Sequence, residues 1–284
     1  MSRIWNDIKS EYALGGPETR LIIVNVAIFV VSALYFAFVP NSSFPRWLAL
    51  SPNDALFYPW TLVTYAFLHA NFMHILSNML VLNFAARLFR TYFSIKQFIG
   101  VYFLGAIFAG SVFVVTYYVM GTSTILVGAS AAVMAVLVAI TTYNPTMQVR
   151  LLLIGNVKLW ILTGFLIFLD VISIPSTSPV SHLSHLSAAL FGFVYMKMLE
   201  SGTDMSRVVT VVIDFFANLG KPGEKKTKFR TVHRNYKKPV QQTSRIVTKD
   251  KTQQQIDEIL DKISRSGYDS LTQEEKDFLF RAGK

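Results

Sequence analysis

The sequence has no cysteine, and it has little charge where most of its hydrophobic residues lie. Without cysteine the chain can form neither disulfides nor thiolate-based sites. Charged residues make up 15% of the chain, against about a quarter in a soluble domain. Residues 21–199 contain only two acidic residues, Asp54 and Asp170, and seven Lys or Arg. Residues 201–284 contain 17 Lys or Arg and 11 acidic residues. The chain therefore divides into an apolar body and a charged tail.

Several motifs with known chemistry are also missing. The H-E-x-x-H signature of metalloproteases and phosphate-binding loops do not occur. The G-x-S-x-G pattern of soluble hydrolases is not completed, because Ala132 stands where the second glycine would be. Residues 1–20 are polar, and the apolar run that follows has no small-residue cleavage site, so no signal peptide is predicted.

The apolar body consists of six long apolar runs. A helix that crosses the hydrocarbon core needs about 20 mostly apolar residues, with a range of roughly 17–25. The runs are continuous and do not alternate, which argues against a membrane β-barrel. The predicted spans are residues 21–39, 73–93, 98–120, 126–143, 159–174 and 180–199. The sequence therefore predicts an all-α membrane protein with six transmembrane helices, of which the fifth is short.

Lys and Arg in the connections between spans predict the orientation. Three of them, Arg87, Arg90 and Lys96, lie in the second connection or in the last turns of the span before it, and the fourth connection carries two. The third and fifth carry none, and the long first connection carries only Arg46. Positive residues accumulate in cytoplasmic loops. We therefore expect the second and fourth connections and both termini to be cytoplasmic.

Polar side chains occur in three of the spans at a similar depth, near the outer face. They are His69, His74 and Asn78 around the start of the second span, Ser130 in the fourth, and His182 and His185 in the sixth. Ionisable groups within a bilayer are costly and usually face a protein interior or a water-filled cavity. Their shared depth predicts a buried site between three helices. Asp170, near the outer end of the fifth span, is interpreted as an interfacial charge.

The residue types favour acyl transfer. A serine hydroxyl becomes a good nucleophile when a nearby base takes its proton, which histidine can do near neutral pH. Ser130 and a histidine of the sixth span would form that pair. His74 and Asn78 are four residues apart and share a helix face. Together with the Ser130 N–H at the start of a helix, they would supply donors for the oxyanion.

Other interpretations stay open for the same residues. Ser130 alone is more often a helix-packing residue than a nucleophile. A zinc site made of His69, His74 and His185 would leave Ser130 and Asn78 unexplained. A transporter or proton relay would more often place ionisable groups at mid-depth, and the six spans show no inverted repeat.

Three segments resemble motifs of the rhomboid family of intramembrane serine proteases. PWTLVTYAFLHANFMHILSNML (59–80) is similar to its H-x4-H-x3-N signature, and GAS (128–130) to its G-x-S motif. SHLSAALFG (184–192) is similar to its A-H-x-x-G-x-x-x-G segment. Gly192, seven residues after His185, selects that histidine over His182.

This resemblance implies a rhomboid-like bundle and a catalytic dyad without a third acid. Ser130 would be the nucleophile and His185 the general base. The oxyanion would be stabilised by His74, Asn78 and the backbone N–H of Ser130.

The resemblance also assigns supporting roles to His69 and Gly128. The chain departs from the family pattern at Ala131, Met134 and Ala188, where the family often has glycine, an aromatic residue and glycine. Each departure adds bulk or softens packing between two helices. We expect any effect on activity to act through the spacing of the nucleophile and the base.

The implied function is cleavage of transmembrane segments in single-pass membrane proteins, with no cofactor and no nucleic-acid partner. Such substrates would have a locally unstable helix and small residues at the scissile bond. The alternative is a catalytically silent rhomboid-like protein that binds membrane helices. The presence of both Ser130 and His185 favours the protease.

Four segments are predicted in all: a cytoplasmic N-terminus (1–20), the membrane domain (21–200), a basic disordered linker (201–252) and a small helical hairpin (253–284). Within the linker, residues 221–251 hold 11 Lys or Arg against two acidic residues. Such a segment either contacts anionic lipid headgroups or is a solvated linker.

The hairpin is predicted from helical spacing of four Ile or Leu residues between positions 256 and 263. Gly267 suits a helix end, and Thr272 with Glu275 forms a capping box. The segment resembles a short C-terminal module of rhomboid-like proteins from Bacteroidetes-type bacteria. That resemblance implies a bacterial inner membrane and no particular task.

Overall fold

The structure is a computed structural model that describes residues 2–121, 124–151, 155–175, 179–218 and 251–282. It forms two compact units, Met1–Pro222 and Gly223–Lys284.

The described part of the first unit contains nine α-helices and one two-stranded antiparallel sheet. The helices are α1 (Ser2–Leu14), α2 (Pro17–Phe38), α3 (Thr61–Thr64), α4 (Phe72–Tyr92), α5 (Ile95–Met120), α6 (Ser130–Tyr143), α7 (Leu159–Ser173), α8 (Pro179–Glu200) and α9 (Ser206–Asn218). The strands are β1 (Gln148–Leu151) and β2 (Gly155–Lys158). A 3₁₀ turn, Tyr65–Phe67, follows α3.

Helices α2 and α4–α8 correspond to the six predicted spans. By length and composition, α2, α4 and α5 are able to cross a membrane, and α6 and α7 are apolar but shorter. Helix α8 has 22 residues, and the histidines and serines of its first half make it less apolar. The prediction of an all-α membrane bundle is confirmed, with the short hairpin β1–β2 as an addition.

Local capping explains where the helices near the site begin. Helix α4 begins after Asn71, whose side chain accepts a hydrogen bond from the His74 N–H at 2.9 Å. Helix α5 begins with a capping box between Ser94 and Gln97. It ends at Gly121, whose φ of 71° suits glycine.

Helix α6 lies at the centre of the bundle, in contact with α4, α5 and α8. Nine of its 14 residues are buried. A Cβ atom added to Gly105 of α5 would lie 2.5 Å from Ala135 Cβ, and one added to Gly192 of α8 would meet the Ala135 carbonyl oxygen. Small residues therefore let α5 and α8 pack directly against α6 around Ala135.

Helix α7 is held less tightly than α6. Many of its apolar side chains are exposed, among them Phe165, Phe168 and Ile172. One polar contact to the bundle is the 2.7 Å hydrogen bond between Thr163 Oγ1 and Thr141 Oγ1 of α6. A second one involves Asp170 and belongs to the site described below.

Two elements differ from the sequence-based prediction. The fourth connection contains β1 and β2, which the short apolar run between spans did not indicate. Helix α9 lies within residues 201–252, predicted as a disordered linker, and this corrects the start of that linker. Ser206 at the beginning of α9 is buried against Gly100 of α5, and its N–H donates to Asp204 Oδ1 at 2.9 Å. Apart from its last residue, the basic segment 221–251 lies outside the described residues.

The described part of the second unit contains two helices that contact each other, α10 (Lys251–Ser266) and α11 (Gln273–Ala282). The Thr272 N–H donates to Glu275 Oε2 at 2.8 Å, and the Glu275 N–H donates to Thr272 Oγ1 at 3.3 Å. Lys262 Nζ also donates to Glu275 at 2.9 Å. The hydrogen bonds from Lys262 and then Thr272 lower the pKa of Glu275.

We predict that Gly192→Ala destabilises the membrane unit. The new methyl group would meet the backbone of α6, which cannot move without shifting the whole helix, and overpacking of this kind costs about 1–3 kcal/mol. Thermal unfolding in detergent measures the effect. Gly164→Ala on α7 is the matched control, because a Cβ atom there has no neighbour within 4 Å. Equal unfolding temperatures for the two variants would contradict the close approach of α8 to α6.

Candidate active site

The segment that leads into α6 is fixed by backbone hydrogen bonds. Leu126 pairs with Leu50 in an isolated β-bridge, with N···O distances of 2.9 and 3.2 Å. Two residues later the Gly128 N–H donates to the Tyr65 carbonyl oxygen at 3.0 Å. These bonds set the position at which α6 begins, so Ser130 is its first residue.

Gly128 brings α4 close to the start of α6. Its φ of 123° is unfavourable for residues with a side chain, and a Cβ atom there would lie 2.6 Å from His74 Nε2. The His74 ring therefore packs against the backbone just before Ser130. His69 stacks edge-on against His74, with ring centroids 5.1 Å apart. His69 Nε2 also accepts a weak hydrogen bond, 3.5 Å long, from the Ala129 N–H.

The structure brings Ser130 and His185 together. Ser130 Oγ lies 2.6 Å from His185 Nε2, and both residues are half-buried. The contact joins the first turn of α6 to the first half of α8, the two helices that pack closely at Ala135 and Gly192. His182, the other histidine of α8, does not make this contact.

The donors suggested for an oxyanion lie on the neighbouring helix and at the helix start. Asn78 is buried on α4, and its Nδ2 donates to the His74 carbonyl oxygen at 2.8 Å. The amide nitrogen has a second hydrogen that this bond leaves available. The Ser130 N–H is one of the four that an α-helix leaves without an internal acceptor.

A cavity of about 620 Å³ joins these groups, and residues of α4, α6, α7 and α8 line it. Its polar lining includes His74, Asn78, Ser130, Asp170 and His185. Its apolar lining includes Val81, Met134, Leu166 and Leu169. Apolar walls with a few convergent polar groups are typical of ligand sites.

Asp170 belongs to the site, which corrects its interpretation as an interfacial charge. Its residue exposure is 8%. Asp170 Oδ1 lies 2.9 Å from His185 Nδ1 and 2.8 Å from His182 Nδ1. A carboxylate therefore contacts His185, whereas the resemblance implied a dyad without a third acid. The available signal was that Asp170 is one of two acidic residues in the apolar body, at the same depth as the histidines.

Among the described residues, one group of side chains could hold a metal ion. It consists of Asp170, His182 and His185, whose ligand atoms lie within 4.8 Å of one another. Hydrogen bonds of 2.8–2.9 Å already join these three side chains. The zinc set considered from the sequence, with His69 and His74, does not form such a group in the described part of the chain.

The three departures from the family motifs do not separate Ser130 from His185. Ala131 and Ala188 are fully buried, and Met134 packs against the core from a partly buried position. The added methyl groups are thus accommodated while the serine and histidine remain within hydrogen-bond distance.

Comparison with known protein families agrees with this arrangement. Residues 57–201, about half of the chain, match the Rhomboid domain. This range includes α4–α8, which carry the serine, the histidines and the acid described above. Residues 247–282 match a family of unknown function, DUF6576, whose name indicates neither an organism nor a task. Among curated proteins no sequence matches the chain. The chain belongs to the rhomboid family.

Proposed function

We propose that the protein is an intramembrane serine endopeptidase that cleaves the transmembrane segments of single-pass membrane proteins. The observation that carries this proposal is the 2.6 Å distance between Ser130 Oγ and His185 Nε2 on the wall of a cavity in a membrane bundle. A hydroxyl so close to an imidazole nitrogen is arranged for proton transfer to the base.

In the proposed reaction, Ser130 Oγ attacks the scissile carbonyl carbon while His185 Nε2 takes the hydroxyl proton. The tetrahedral intermediate collapses when His185 returns that proton to the leaving amine, which breaks the C–N bond and leaves an acyl-enzyme. Water then attacks the ester with His185 again acting as base. Ser130 regains its proton, and the new carboxylic acid leaves.

The oxyanion would be stabilised by His74, Asn78 and the N–H of Ser130. His74 is in a suitable tautomer, because its Nδ1 accepts a hydrogen bond from the Ala70 N–H at 3.4 Å. In a neutral ring the proton is then on Nε2, the nitrogen that faces Gly128 beside the nucleophile. His69 packs edge-on against this ring and supports it.

The cavity supports a membrane-embedded segment as the substrate. Its apolar walls come from α4, α6 and α7, and the other surfaces of α4 and α7 include many exposed apolar side chains. A peptide bond can reach Ser130 only if its helix locally unwinds, because helical carbonyls are already hydrogen-bonded. Small residues at the scissile bond would favour that local unwinding and entry.

The proposed location is a bacterial inner membrane with both termini in the cytoplasm. The alternation of Lys and Arg between connections supports this orientation, and it places the site near the outer face. The basic segment 221–251 would then lie beside the cytoplasmic leaflet, where its 11 Lys or Arg favour contact with anionic headgroups.

Fluorophosphonate labelling of the purified protein in detergent tests the activated serine. We expect the wild-type protein to be labelled, and Ser130→Ala and His185→Ala to abolish labelling. Ser187→Ala is the matched control on the same helix, and it should retain labelling within about tenfold, since the Ser187 hydroxyl donates to the Ser184 carbonyl oxygen of its own helix at 2.7 Å. If folded wild-type protein takes no label while an active rhomboid protease does so in parallel, the proposal fails, and the silent helix-binding alternative is favoured.

Replacement of Gly128 tests the position of His74. Gly128→Ala should lower the labelling rate by about 10²-fold or more, because loss of oxyanion donors has effects of this size and the new Cβ would displace His74 or the backbone before Ser130. Gly121→Ala is the control: its φ of 71° is also positive, but a Cβ atom there has no neighbour within 4 Å. If both variants lowered the labelling rate by a similar small factor, backbone strain would explain the effect, and the prediction about His74 would be wrong.

A further inference from the structure

We propose that Asp170 is a positioning residue for His185, so that the site works as a Ser-His-Asp triad contributed by α6, α8 and α7. This inference rests on the proposed protease function and concerns the orientation of its base.

The tautomer of His185 follows from its two contacts. To accept the Ser130 proton, Nε2 must carry no hydrogen, so the single proton of the neutral ring must lie on Nδ1. Asp170 Oδ1, 2.9 Å from Nδ1, accepts that N–H. The carboxylate thus stabilises the reactive tautomer and fixes the ring plane. It also stabilises the imidazolium formed when Ser130 gives up its proton.

His182 holds the carboxylate in place. Its Nδ1 lies 2.8 Å from the same oxygen, and its ring is nearly perpendicular to that of His185, at 89°. Two N–H donors on one acceptor fix the direction of the Asp170 side chain. That side chain is only 10% exposed, so water competes little for its oxygen.

A purely structural role makes a different prediction. Asp170 lies on α7, a loosely packed helix that also contacts the bundle through the hydrogen bond between Thr163 and Thr141. If Asp170 served only to attach α7 to the bundle, replacing it would lower activity no more than replacing Thr163 does. An asparagine of the same shape would then be better tolerated than alanine.

The experiment compares Asp170→Asn, Asp170→Ala and Thr163→Val in the full-length protein. We expect Asp170→Asn to lower kcat on a single-pass substrate by on the order of 10²- to 10⁴-fold, with KM changed less than about threefold. The reason is that the asparagine amide can donate to Nδ1, which moves the ring proton to Nε2 and blocks acceptance from Ser130. Asp170→Ala should be no worse than Asp170→Asn, and Thr163→Val should keep kcat near wild type.

Nitrogen-15 NMR of labelled histidine reports which ring nitrogen of His185 carries the proton. If Asp170 had only a structural role, its replacement would not change that tautomer. The chain has five histidines, so the His185 signal can be assigned by its loss in His185→Gln. We expect the proton on Nδ1 in the wild-type protein and on Nε2 in Asp170→Asn. The Thr163→Val control should retain the wild-type tautomer.

The outcomes separate this inference from the proposed function. Wild-type cleavage with equal kcat in Asp170→Asn, or with an unchanged His185 tautomer, would overturn the positioning role and leave the protease intact. The same holds if Asp170→Asn is milder than Asp170→Ala and matches Thr163→Val. No fluorophosphonate labelling of wild type would refute the protease itself, and the positioning role with it.

Discussion

The close approach of α6 and α8 is the constraint on which the site depends. Gly192 faces the backbone of α6 at Ala135, where any larger side chain would meet the carbonyl oxygen. One to two turns closer to the N-terminal ends of both helices, the same pair brings Ser130 to His185. Helices that pack this closely through small residues have few alternative arrangements. Packing in the apolar core thus fixes the distance between Ser130 and His185, and a hydrogen bond allows little variation in that distance.

Several polar groups of the site pair with one another, which matters in a membrane because a buried group without a partner is costly. Asn78 bonds to the His74 carbonyl oxygen, and a continuous chain of contacts runs from Ser130 through His185 and Asp170 to His182. Ser130, His185 and His182 lie on α6 and α8, the closely packed pair of helices. Asp170 comes from α7, so a helix that is held less tightly than α6 supplies the group that orients the base.

The sequence predicts the helical bundle well because each apolar run is long and the connections differ clearly in charge. Helical spacing and shared depth also indicate His74, Asn78, Ser130 and a histidine of the sixth span. The resemblance to the rhomboid motif then selects His185. The sequence does not indicate the contact of Asp170, because that depends on how α7 turns against α8 across a loop. Helix α9 was missed because the basic composition of the tail as a whole outweighed the short apolar run that begins after Ser206. The hairpin β1–β2 was missed because its strands have four residues each.

Cleavage in a lipid bilayer is the most direct test of the central claim, that Ser130 activated by His185 hydrolyses a peptide bond in a membrane-embedded segment. The measurement is co-reconstitution of the full-length protein with a single-pass reporter in liposomes, followed by mass spectrometry of the products. We predict two fragments that meet at one bond within or at the edge of the reporter's transmembrane segment, and none with Ser130→Ala. Across a panel of reporters with small residues in an unstable helix, complete lack of cleavage would contradict this account, as would equal cleavage by Ser130→Ala.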